Sequence, residues 1–96
     1  MNIVDYIPEG REHGVSRKRL CELTGLGDRA VRDQIKKARM SGEIIINLQD
    51  GAGYYRTDDL HDIERQYRIN DSRAKETLVQ QPHLREILIR AGISVR

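Results

Sequence analysis

The stretch "LCELTGLGDRAVRDQIKKA", Leu20 to Ala38, holds two segments of helical spacing separated only by Gly25-Leu26-Gly27. A connection this short forces the second helix to cross and pack on the first. The crossing needs a small residue, and Cys21, in the turn before Gly25, takes that place as a buried packing residue. Leu26, Val31 and Ile35 close the core beneath it. With Val31 at the centre of the second segment's buried face, helical rotation places Ile35 and Ala38 beside it. The same rotation turns Arg29, Asp33 and Lys36 to the opposite side, with Arg32 and Lys37 on the flanks. One helix therefore braces another whose outer face is charged and free.

The flanking sequence gives these helices their ends. Asn2 is the N-cap of a short helix bearing Ile3, Val4 and Ile7, which Pro8-Glu9-Gly10 stops. Arg11 to Val15 reads as loop, with Val15 extended. Ser16 caps a helix from Arg17 to Thr24 whose buried face is Leu20, Leu23 and Thr24, and Gly25 suits the left-handed position that follows. Gly27 or Asp28 caps the next helix, which runs to Met40 before Ser41-Gly42 ends it. The period then changes from 3.6 to 2. "EIIINLQDGAGYYR" is two short strand-like runs around Gln49-Asp50-Gly51-Ala52-Gly53, a hairpin pattern that turns Tyr54 and Tyr55 to opposite faces, one into the core and one outward.

Thr57, with Asp58 and Asp59 in the first turn, opens a further helix. Its stripe is Leu60, Ile63, Tyr67, Ala74 and Leu78, interrupted by Asn70-Asp71, and the pattern allows both continuation and a restart there. Pro82 suits the first turn of a last helix bearing Leu84, Ile87 and Leu88 up to Ala91-Gly92. The expected architecture is mainly α with a small β-hairpin: a helix-turn-helix with a hairpin over residues 1–57, then a helical extension over 58–96 in the same structural unit.

Charge is unevenly spread. Residues 11–39 carry nine Lys/Arg against four Asp/Glu, whereas residues 50–64 carry five acidic residues against Arg56 alone. A basic block inside a folded segment suits a polyanionic partner. The longest strictly aliphatic run, Ile44-Ile45-Ile46, is far too short to span a bilayer. "MNIVDYIPEG" lacks the basic start of a secretory signal, and one cysteine cannot form an internal disulfide, so a cytoplasmic protein without membrane attachment is expected.

"VSRKRLCELTGLGDRAVRDQIKKARMSGEIIINLQDGAGYY" resembles the small winged helix-turn-helix proteins of phages and prophages of Gram-positive bacteria. It is also similar to the N-terminal DNA-binding domain of the biotin operon repressor family. The likeness is carried by "LTGLGDRAVRDQI" and by "GAGYY"; the phage-type likeness extends through "DSRAKE" to about residue 80. Family members often carry a hydroxyl residue where Gly27 stands here. The repressor family's ligase domain has no counterpart in this sequence, so no biotin chemistry is expected.

The resemblance implies that Arg29, Arg32, Asp33, Lys36 and Lys37 lie on a recognition helix entering the major groove of double-stranded DNA. Arg matches guanine O6 and N7, while Lys36 and Lys37 suit phosphates. Arg17, Lys18 and Arg19 are placed to meet the DNA backbone, and Asn47 and Gln49 could donate hydrogen bonds from the hairpin tip. The tip itself lacks Lys or Arg, and Asp50 there would repel phosphate. That feature favours the alternative, a protein-binding winged helix acting as adaptor or inhibitor of a host complex through an acidic protein surface.

No catalytic site, metal or cofactor is expected. "GAGYY" leads into a strand, whereas a phosphate loop leads into a helix. Cys21, His13, His61 and His83 show no metal-ligand spacing. The apolar residues from Leu78 onward exceed what a three-helix core shelters, so a homodimer through residues 72–91 is expected.

Overall fold

The computed structural model describes residues 2–71 and 80–95. Near the N-terminus, Ile3–Tyr6 forms a 3-10 helix in which Asn2 Oδ1 accepts from Val4 N at 3.0 Å. A second 3-10 turn, Arg11–His13, replaces the expected loop. Helix α1, Arg17–Thr24, begins where Ser16 Oγ accepts from Arg19 N. It ends at Gly25, whose φ of 76° is left-handed and whose N–H donates to the Cys21 carbonyl. The Thr24 hydroxyl donates to the Leu20 carbonyl and accepts from Leu26 N, which fixes the turn. Helix α2, Asp28–Met40, follows with Gly27 as an N-cap that offers no side-chain acceptor.

One core joins these elements. Ile3, Val4 and Ile7 meet Leu20 of α1 and Val31, Ile35 and Ala38 of α2, with Cys21 and Leu26 packed against them. Cys21 is half-buried rather than enclosed. Leu23, expected in the core, is 41% exposed. The turn draws Leu26 and α2 onto the Cys21 side of α1, so Leu23 rotates away from the crossing.

Strands β1, Ile45–Ile46, and β2, Tyr55–Arg56, pair antiparallel with Ile45 opposite Arg56 and Ile46 opposite Tyr55. The other edge of β2 is also used. Tyr54 exchanges two backbone hydrogen bonds with Val15, and Arg56 bonds to the Pro8 carbonyl and the Gly10 N–H. Ile45 and Tyr54 face the α1–α2 core, while Ile46 and Tyr55 face Leu48, Ile44, Ala52 and Ile69. Both tyrosines are therefore buried, against the expectation that one is exposed. The second face of the hairpin is not solvent, because the next helix covers it.

That helix, α3, spans Leu60–Asp71. Asp59 rather than Thr57 takes the N-cap role, its carboxylate accepting from Asp62 N, while Thr57 Oγ1 accepts from Asp59 N one step earlier. α3 runs without a break through Asn70. Helix α4, Gln81–Arg90, has Pro82 in its first turn and closes at Ala91-Gly92. Ile63 and Tyr67 of α3 pack on Leu84 and Leu88 of α4, with Ile44, Ile87, Ile93 and Val95 around them. Leu84 and Leu88, expected to face a second chain, thus close on their own chain. Leu60, at the start of the stripe expected to cover the domain, is 41% exposed. Ala74 and Leu78 lie outside the described residues. Among the described residues no helix is long and apolar enough to cross a membrane.

Candidate nucleic-acid interface

The inward side of α2 is fixed by Val31, Ile35 and Ala38, so its outward side follows from the helical period. Arg29, Arg32, Asp33, Lys36 and Lys37 are all exposed there, as the sequence pattern requires. Arg17, Lys18 and Arg19 are exposed on the first turn of α1. Among the described residues, Lys18, Arg19, Arg29, Lys36 and Lys37 make no ion pair and carry their charge into solvent.

Arg17 and Arg32 are different. Arg17 Nε donates to Asp28 Oδ1 at 2.5 Å, and Arg32 Nε lies 3.2 Å from Asp28 Oδ2. One carboxylate on the first residue of α2 thus holds two guanidiniums, one from each helix. The bond to Asp28, then a hydrogen bond that Arg17 donates to the Tyr54 hydroxyl oxygen, raises the Arg17 pKa above its ordinary value. Arg17 and Arg32, singled out from the sequence on separate helices, are thus brought together by the structure.

The hairpin loop is anchored beside the start of α1. A Cβ on Gly14 would lie 1.9 Å from the Ala52 carbonyl oxygen, and one on Gly53 would lie 2.4 Å from that of Val15. Only glycine permits both approaches, and Gly53 also has a φ of +82°. Asn47 is half-buried and largely committed to structure: its N–H donates to Gln66 Oε1, and its Oδ1 accepts from Gln49 N. Gln49 is exposed at a φ of 59°.

Asp50 does not stand alone at the loop tip. Arg11 Nη2 lies 2.6 Å from its carboxylate and Arg65 Nη2 lies 4.0 Å away. The Arg11 guanidinium holds the Asp50 carboxyl below its usual range, and Asp50 in turn raises the Arg11 pKa. The repulsion expected between Asp50 and phosphate is offset by these two cations. Sequence reasoning missed both, since Arg11 is 39 residues from Asp50 and no local pattern joins them. It also missed Arg39, whose guanidinium lies 5.9 Å from the Tyr54 ring centre and donates twice to the Ile45 carbonyl. Burial pushes its pKa down. Arg39 is therefore half-buried against Tyr54 and Ile45 and not part of the charged face.

Among the described residues, no group of three or more His, Cys, Asp and Glu is arranged to hold a metal ion. Comparison with known protein families, with characterised proteins and with solved structures finds no match to this chain.

Proposed function

We propose that this chain is a small DNA-binding protein of the winged helix-turn-helix kind, acting in transcriptional control or replication as the phage-type resemblance implies. The observation that carries this reading is the two-sidedness of α2. Its inner face is locked by Val31, Ile35 and Ala38, while Arg29, Lys36 and Lys37 are exposed and make no ion pair among the described residues. In this reading α2 enters the major groove, Arg29 meets base edges, and Lys36 and Lys37 meet phosphates. Arg17, Lys18 and Arg19 flank the groove from α1, and the hairpin is the wing.

The expected dimer through residues 72–91 loses much of its support, because Ile63, Tyr67, Leu84 and Leu88 are consumed within one chain. The proposed complex is therefore one protein per binding site, with few phosphate contacts. Four such contacts give a slope of log affinity against log salt of roughly −3.6. Fluorescence anisotropy on a random-sequence duplex checks this. Arg29→Ala should lower binding to a selected sequence more than to random duplex, and Lys37→Ala should weaken both alike.

The second reading, a protein-binding module, is favoured by one observation. Asp28 and Asp50 each engage two arginines, which lowers the net charge of the face. Absence of any binding to duplex at low salt would transfer support to it.

A further inference from the structure

Asp28 occupies the space between two guanidiniums with its two oxygens, one to Arg17 and one to Arg32. The three side chains are 52%, 45% and 58% exposed, so the arrangement lies open to any anion that approaches α1 and α2 together. Two oxygens shared between two arginines is also how a phosphodiester is gripped. The N-cap of α2, Gly27, offers its first amides no side-chain acceptor, so the local field favours an anion whether or not it comes from the chain. Among the described residues, Lys18 and Arg19, next to Arg17 in the first turn of α1, and Arg29, next to Asp28 in α2, are exposed and make no ion pair.

We propose that the Arg17–Arg32 pair is a phosphate site for duplex DNA and that Asp28 is its built-in competitor, filling the site in the free protein. This rests on the DNA-binding reading and adds the residue that weakens it. A backbone phosphate enters only by displacing the Asp28 carboxylate, a cost paid at every sequence alike. Asp28 thereby weakens binding to every duplex by the same factor and leaves contacts made by Arg29 at the bases untouched.

The experiment compares the full-length protein with Asp28→Asn by anisotropy on a random-sequence duplex at low salt. Exposed ion pairs are individually weak, so releasing both arginines should tighten binding by about fivefold. Glu22→Gln removes the same charge from an exposed position of α1 that makes no ion pair among the described residues, and it should have a smaller effect. In an Arg17→Ala/Arg32→Ala background, Asp28→Asn should do no more than Glu22→Gln does. Circular dichroism verifies folding, and Asp28→Ser serves in the same comparison should the Asn variant unfold. An Asp28→Asn effect no larger than that of Glu22→Gln, or a gain that persists without the two arginines, overturns the proposal while wild-type binding leaves the DNA reading intact. Failure of both wild type and Asp28→Asn to bind duplex overturns the two together.

Discussion

Gly14 and Gly53 hold opposite sides of one contact, where the hairpin loop lies against the chain entering α1. A methyl group at either position collides with backbone, which cannot turn aside as a flexible side chain can. Gly51, in the same loop, has a φ of +95° but open space around it. The comparison separates backbone strain from collision. Gly51→Ala should show the strain alone, about 1–2 kcal/mol. Gly53→Ala should add an overpacking cost of about 1–3 kcal/mol. Urea denaturation of the two variants checks the order, and equal midpoints would contradict the docking of the loop. Tyr55 makes a different kind of contact. Its hydroxyl donates to Asp62 Oδ2 at 2.9 Å, and burial followed by that carboxylate pushes its pKa from 10.0 up to about 12. The native state therefore keeps a proton that the unfolded chain releases. The resulting stability is fully present below pH 10 and is lost as pH rises through about 12. Tyr55→Phe should be less stable at neutral pH and should show a shallower alkaline decline in chemical denaturation.

Helices and caps were legible because their causes are local: Ser16, Gly25, Ser41 and Gly92 act within a turn of their own positions. Asn70 was not legible. It interrupts an apolar stripe in the sequence, yet in α3 it is the centre of a buried chain of amides. Asn47 N–H donates to Gln66, Gln66 to Asn70, Asn70 to Gln80, and Gln80 Nε2 to the Ile45 carbonyl at 2.6 Å. The chain begins at Asn47, just past β1, and ends at Ile45 within it, satisfying the outer edge of this segment from α3 and from the start of α4. Its partners stand as far as 35 residues apart, beyond the reach of any periodicity. The same holds for Arg11 with Asp50, and for the cover that α3 places over Tyr55. Asn70→Leu should strand the Gln66 amide donor and leave Gln80 with one partner fewer, at about 1–3 kcal/mol for each buried group left unpaired. Asn70→Asp keeps the acceptor for Gln66 but, once ionised, loses the donors to Gln80 and Gln81. Its stability should fall further as pH rises above the carboxyl range, read from thermal melting at acid and neutral pH.

At the scale of the molecule, the open question in the sequence was whether the apolar residues after Asp58 serve the chain or a partner. Leu84 and Leu88 are fully buried against Ile63 and Tyr67, and Gln80 reaches β1, so α4 packs back on α3, the helix that covers the hairpin, rather than extending from the domain. Its loss would expose Ile63 and Tyr67 and break the amide chain at once. Leu84→Ala and Leu88→Ala should each cost about 2–5 kcal/mol. Against a domain stability of about 5–15 kcal/mol, the double variant should be largely unfolded. A chain ended at Asp71 should melt without a cooperative transition and self-associate through its uncovered apolar face. Sedimentation of the intact protein at micromolar concentration should give a monomer. A stable dimer that Leu84→Ala dissociates without changing the melting of the monomer would show that these leucines serve a partner chain instead.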